Sequence, residues 1–174
     1  MSKMTATQEL RQLVKTRFFP YAEGRGFARA RSTHPHFTTF RRFTLDTAQV
    51  FNVQWDKYGA SRFVVNFGEA PRVGVRLWGR HIAAENLEPQ DCPERGRLQR
   101  KGGPYLRCWF QLKKPLLEAL RTVERRYTAE SVVEELLSVF PEVETWWEDR
   151  TVGPHLDIVP SDAWSMASEA KPVG

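Results

Sequence analysis

The chain reads as an α+β domain: an antiparallel β-sheet, laid down as a meander of about five strands, flanked by an N-terminal helix and two to three C-terminal helices. Three observations predict this. Residues 50–55 and 62–67 are rich in β-branched and aromatic side chains and flank a polar, Gly-containing connection at 56–61, which is a hairpin pattern. Residues 5–19 carry Leu10, Leu13, Val14 and Phe18 at helical spacing. Two further helical stripes lie between residues 116 and 140. A chain of 174 residues can bury about 70% of the surface its unfolded form exposes, so it needs no metal or disulfide to hold a core. Residues 1–150 are expected to form the domain and 151–174 a partly loose extension.

Taken in order, the first helix sets its apolar stripe against Glu9, Arg11 and Lys15, with Pro20 near its end and Gly24-Arg25-Gly26 as terminator. Residues 27–31 are a short strand candidate with Phe27, Arg29 and Arg31 alternating, and residues 32–36 turn. A second strand at 37–45 puts Phe43 and Leu45 on one side and Phe40 and Arg42 on the other. In the hairpin that follows, the period of two sends Phe51, Val53 and Trp55 to one face with Phe63, Val65 and Phe67. Asn52, Gln54, Val64 and Asn66 point the other way. One face is a core; the other is rich in amides and is expected to be wet.

Residues 68–103 show little periodicity, being punctuated by Pro71, Gly74, Gly79, Pro89, Pro93, Gly96, Gly102 and Gly103. Residues 73–77 fit one more short strand. The basic stretch 95–101 follows an acidic one at 85–94, so it neutralises itself as readily as it binds a ligand. Residues 105–112 return to strand character, with Leu106, Cys108, Phe110 and Leu112 on one face and Tyr105, Arg107, Trp109 and Gln111 on the other. Lys114-Pro115 opens a helix whose stripe is Leu116, Leu117, Leu120, Val123 and Tyr127. Thr128 caps the next, with Val132, Val133, Leu136, Leu137 and Phe140, and Pro141 ends it. A short turn at 142–148 carries Trp146 and Trp147, at least one of which should bury. Leu156, Ile158 and Trp164 can pin part of the tail.

The residue types exclude several functions. Cys92 and Cys108, without a second pair or clustered His, fail zinc-site spacing and read as structural thiols. His34 and His36 form an HxH pair with no acid or Cys close by, so they are exposed turn histidines rather than metal ligands. Asp46 and Asp56 sit in turns and the four His are scattered, and no phosphate or dinucleotide loop occurs. The chain thus points away from an enzyme and calls for no cofactor. No apolar run approaches the ~20 residues of a membrane span, and the N-terminus lacks the core of a signal peptide. A cytoplasmic protein with no membrane partner is expected.

The matching pieces Gly26-Phe27, Phe51-Asn52-Val53-Gln54, Phe63-Val64-Val65-Asn66-Phe67-Gly68 and Arg107-Cys108-Trp109-Phe110 occur in a familiar order. Over roughly residues 7–150 the chain resembles a family of small bacterial α+β proteins known only as a domain of unknown function. Trp55 stands where a Lys or Ser commonly follows the Gln of that family. The resemblance implies the fold but no activity, cofactor or catalytic residue. The size and non-catalytic look of the family resemble those of immunity proteins that neutralise toxins.

Two binding surfaces are candidates. The first is the amide-rich sheet face, Asn52, Gln54 and Asn66, joined by Arg107, Trp109 and Gln111 if residues 105–112 pair in the same sheet; amides and Arg supply directional hydrogen bonds and Trp a rigid contact. Residues 68–103 or the tail would cover that face if its role is structural. The second follows from charge: residues 1–112 carry 19 Lys/Arg against 9 Asp/Glu, and residues 113–174 carry 7 against 12. Arg29, Arg31, Arg41, Arg42 and Arg62 could form a basic patch, with Phe40, Tyr58 or Trp109 stacking on bases. An unknown protein partner is favoured and nucleic acid is the alternative. An acidic face for a basic toxin would have to come from Glu130, Glu134, Glu135, Glu142, Glu144 and Glu148.

Overall fold

Alternation of apolar and polar residues over a long hairpin decides the architecture, because such a ribbon has two different faces to cover. The computed structural model describes residues 4–31, 34–100, 108–121 and 126–160. Strands β1 (Ala28–Arg29), β2 (Phe37–Phe43), β3 (Thr47–Trp55) and β4 (Arg62–Pro71) form the meander. In β3 and β4, Phe51 lies opposite Phe67, Asn52 opposite Asn66 and Trp55 opposite Phe63. This is the register that the alternation predicts. After β5 (Val75–Leu77) and β6 (Arg80–Ile82), β7 (Glu94–Leu98) pairs with β4. β8 (Phe110–Gln111) also pairs with β4, and β9 (Leu156–Val159) pairs with β7. The main sheet therefore has seven strands in the order β1-β2-β3-β4-β7-β9 with β8 beside β4, and its neighbours run antiparallel. The fold is α+β.

Helices cover the first face. α1 (Ala6–Leu13) starts on a capping box in which Thr5 accepts from the Gln8 N–H and the Gln8 side chain accepts from the Thr5 N–H. The helix does not stop near Phe19, as expected from Pro20. A π turn at Val14–Phe18 leads straight into α2 (Phe19–Gly24), where Pro20 falls in the first turn. Pro20 has no N–H to donate and its ring crowds the preceding turn; the widened turn relieves both. The helix ends as a Schellman motif, with the Phe27 N–H donating to the Ala22 carbonyl and the Gly26 N–H to that of Glu23. α4 (Ala129–Val139) and α5 (Pro141–Asp149) complete this layer; α3 (Leu116–Ala119) is a single short turn. Pro141 ends α4 as expected, but residues 142–148 are helix and not a turn: Pro141 opens α5, since a helix start has no use for the missing N–H. Both Trp146 and Trp147 are buried. Phe51 is the hub of the core, with ring centroids of Phe18, Phe27, Phe40 and Phe140 at 5.9, 5.0, 4.9 and 5.2 Å.

The second face is not simply wet. Val75, Leu77, Ala84, Leu87 and Cys92 pack on Ala48, Val50 and Ala70 as a separate apolar cluster. Short apolar pieces between turns, with no sustained period, make this layer, which is why residues 68–103 read poorly. β7 was hidden by Gly96 amid basic residues. A Cβ there would lie 2.7 Å from Phe67 and 2.8 Å from Ile158, so only glycine lets the strands close.

Other expectations are corrected. The strand at 27–31 is only Ala28–Arg29, and Leu45 lies in an exposed loop beyond β2. Of residues 105–112 only Phe110–Gln111 is strand, and 101–107 lie outside the described residues. Leu116 and Leu120 are exposed, so the stripe expected there is not a buried one; Val123 and the Leu117 side chain lie outside the described residues. Leu156 and Ile158 join the sheet rather than merely pinning a tail, and Trp164 lies outside the described residues.

One cation ties the layers. Glu69 and Glu94 sit directly opposite one another in β4 and β7, an arrangement that repels. Arg150 Nη2 lies 2.6 Å from a carboxylate oxygen of each. Its Nη1 donates to the carbonyls of Trp146 and Trp147, and the guanidinium lies 4.5 Å from the Trp146 ring centre. Arg150→Met should lower stability by about 2 kcal/mol, because it leaves the buried Glu69 facing Glu94 uncompensated. Urea unfolding at neutral pH checks this; an unchanged midpoint would show that the two carboxylates need no common cation.

Candidate functional site

Successive registers place Thr39, Asn52, Asn66, Arg97 and Asp157 directly opposite one another in one row across β2, β3, β4, β7 and β9. All five therefore lie on the second face. Asn66 is the centre of the row. Its Nδ2 donates to Asn52 Oδ1 and Gln54 Oε1, both at 2.9 Å, and its Oδ1 accepts from Arg97 Nε at 3.1 Å. On the β2 side the row ends at Glu88. Its Oε2 accepts from Thr39 Oγ1 at 2.7 Å and from Asn52 Nδ2 at 3.2 Å, and its Oε1 pairs with Arg41 Nη2 at 3.2 Å. Glu88 is itself set by its N–H donating to Asp91 Oδ2. Burial lowers the pKa of Arg41, against the opposing charge of Glu88.

The amide face is thus divided. Asn52 is 1% exposed, closed over by the 84–91 segment. Gln54, Asn66, Arg97 and Asp157 open into a cleft of about 340 Å³, with Phe37 and Pro89 also in its wall. Burial lowers the pKa of Arg97, and the nearby charge of Asp157 opposes this. The one hydrogen bond of this half-buried guanidinium among the described residues is that to Asn66. Trp109, 5% exposed, lies beside it: the Arg97 and Arg62 guanidinium carbons are each 5.8 Å from its ring centre. Its Nε1 has no hydrogen-bond partner among the described residues. Gln111 sits opposite Arg62 at the far end of β4, away from the row. Arg107 lies outside the described residues.

Sequence reasoning missed Arg97, Asp157 and Glu88. The signals were the alternation of Arg95 and Arg97 about Gly96, and Asp157 standing between Leu156 and Ile158.

The five basic candidates are not one patch. Arg41 and Arg42 are consecutive in β2 and point to opposite faces. Arg41 pairs with Glu88, whereas Arg42 bonds Gln49 and the Arg25 carbonyl, pairs with Glu144 and stacks on Phe27 at 4.3 Å. Arg62 pairs with the buried Asp56, and Arg29 and Arg31 are exposed. The acidic helices are similarly occupied: Glu134, Glu135, Glu142 and Glu144 meet Arg17, Arg100, His155 and Arg25. Both cysteines are free and buried, and burial pushes the Cys92 thiol far above its ordinary value, with the Asp91 charge adding to it. Among the described residues no group of three His, Cys, Asp or Glu could hold a metal ion. Nor is any described helix long and apolar enough to cross a membrane.

Together these features define a small α+β domain with a polar cleft on the second face of its sheet. The chain belongs to the DUF4304 family, a domain of unknown function, whose model matches residues 18–140. No curated protein and no solved structure matches the chain.

Two outcomes follow from this geometry. Asn66→Leu strands the polar groups of Asn52, Gln54 and Arg97 and should cost about 2–3 kcal/mol in urea unfolding; a loss below about 0.5 kcal/mol would mean the network relaxes at no cost. Asp56 supplies a pH dependence. Burial raises its pKa, but the Arg62 hydrogen bond and the N–H groups of Tyr58 and Ala60 outweigh this and hold it below its ordinary 3.8. A depressed folded pKa stabilises above the unfolded value, and the benefit is lost as pH falls through the folded one. Wild type should therefore exceed Asp56→Asn in urea midpoint at pH 6, and the gap should close progressively as pH falls below the ordinary value of 3.8.

Proposed function

We propose that this chain is a non-catalytic binding protein of the bacterial cytoplasm that holds a polar segment of a partner protein in the Gln54–Asn66–Arg97–Asp157 cleft, as an immunity-like interaction module. The observation that carries this reading is Arg97. Its Nε is fixed by Asn66, which holds the guanidinium in the wall of the cleft, and burial has already removed part of its hydration. A ligand carbonyl or carboxylate restores what burial takes away. Asp157, opposite Arg97 in register, supplies an acceptor for a ligand N–H. A peptide unit or a carboxamide side chain offers both groups. Phe37 and Pro89 also line the cleft and give the segment apolar contact beside the polar groups. The resemblance to small bacterial domains and the two buried free thiols support the compartment.

The test is affinity co-purification from the native lysate with nuclease treatment, run in parallel on wild type and Arg97→Met. The expected result is a stoichiometric protein that survives nuclease, elutes with wild type and is lost with Arg97→Met while circular dichroism shows that the variant is still folded at the assay temperature. Recovery of nucleic acid alone, released by nuclease or by high salt, would replace this reading with the nucleic-acid one. Equal recovery of the protein by both forms would remove the cleft from the interface.

A further inference from the structure

Residues 72–84 contain no Asp or Glu, yet they carry Arg72, Arg76, Arg80, His81 and Trp78. The β5–β6 hairpin sorts these residues. Val75 and Leu77 turn inward and are buried on the second apolar cluster. Arg76 and His81 oppose one another in register and are exposed, and Arg80 is exposed next to the turn. The connection is two residues long, with Trp78 at φ 47° and Gly79 at φ 75°. Such a turn asks for a left-handed backbone at both positions. Glycine adopts it freely and Asn or Asp suit the first position, but a bulky aromatic there is strained.

The strain leaves more than half of Trp78 in solvent. Trp78 is 55% exposed and its ring has no aromatic or cationic partner among the described residues. Arg72 is neutralised by Glu85 at 2.9 Å, but Arg76 and Arg80 make no ion pair among the described residues. Here a strained, exposed ring stands between two uncompensated cations at the tip of a hairpin that is itself anchored on a buried apolar cluster. Strain that packing does not explain marks a functional position.

We propose that the tip of the β5–β6 hairpin is a docking element for an acidic surface of a partner protein, with Trp78 as its apolar anchor and Arg76 and Arg80 as the cations that select the acid. Trp and Arg are the side chains that dominate binding energy at protein interfaces, and the absence of any acid across residues 72–84 gives charge complementarity to an acidic partner. One ring and two cations within five residues are too small to track a nucleic-acid backbone, which uses a longer groove and several stacking platforms. A lipid surface calls for a broad apolar face, and here the apolar face of the hairpin is buried inward. This inference is independent of the cleft.

The full chain labelled with 5-fluorotryptophan, its Trp78 resonance assigned by loss in Trp78→Asn, would be titrated at physiological salt with a random Glu–Tyr copolymer, an oligo-dT strand and phosphatidylserine vesicles. The Trp78 resonance should shift with the copolymer alone. Anisotropy of fluorescein-labelled copolymer should show about a tenfold loss of affinity in R76E/R80E with Tm unchanged. Trp78→Asn should abolish binding and raise Tm, since Asn relieves the backbone. A fall in Tm for Trp78→Asn would make the ring a structural element and overturn the proposal. So would a response to the oligonucleotide or the vesicles without one to the copolymer, or no response at all.

Discussion

The structure depends on one register. Because Phe51 lies opposite Phe67 and Asn52 opposite Asn66, two adjacent rows run across the sheet on opposite faces. One, through Phe40, Phe51, Phe67, Gly96 and Ile158, feeds the aromatic core beneath the helices. The other, through Thr39, Asn52, Asn66, Arg97 and Asp157, forms the polar floor. A slip of one residue would exchange the rows and send every amide into the core. The aromatic side makes such a slip costly, since Phe51 would lose four ring neighbours at once. The polar side adds specificity, since Asn66 finds its three partners only in this alignment.

The second face is built on a graded scheme. At one end Ala48, Val50 and Ala70 are small and apolar and accept the 72–93 segment. In the middle the buried Asn52 and the half-buried Arg41 meet Glu88. At the other end Gln54, Asn66 and Arg97 face a cleft. A single loop thus closes part of a polar row and leaves the rest open to a cleft. The amides that are covered are structural, and their partners in the row transmit that rigidity to the open end.

What was legible in the sequence was whatever a period could carry. Residues 50–67 alternate cleanly, and both the pairing and the division of faces follow from that alternation. Leu10, Val14 and Phe18, and Val132, Val133, Leu136 and Phe140, likewise name the buried sides of their helices. The rest depended on long-range constraints. β7 is a strand because its glycine lets Phe67 and Ile158 approach, a fact about neighbours distant in sequence. Arg97 and Asp157 meet only because two short segments pair at the sheet edge. Three of the amide candidates lay together as read. The basic candidates separated because adjacent residues of a strand face opposite ways and because Arg41, Arg42 and Arg62 each found its own acid.

The π turn at Val14–Phe18 bears on how relatives of this chain should be aligned. A π turn holds one residue more than the α-helical turn it replaces, and each residue rotates a helix by about 100°. Here the added residue lets the consecutive Phe18 and Phe19 both reach the core. A relative lacking one residue between 14 and 18 could run as plain α-helix, with Leu10 and Ala22 still facing the sheet. A single-residue gap at that place therefore marks a change in helix winding, and by itself argues for no change of fold.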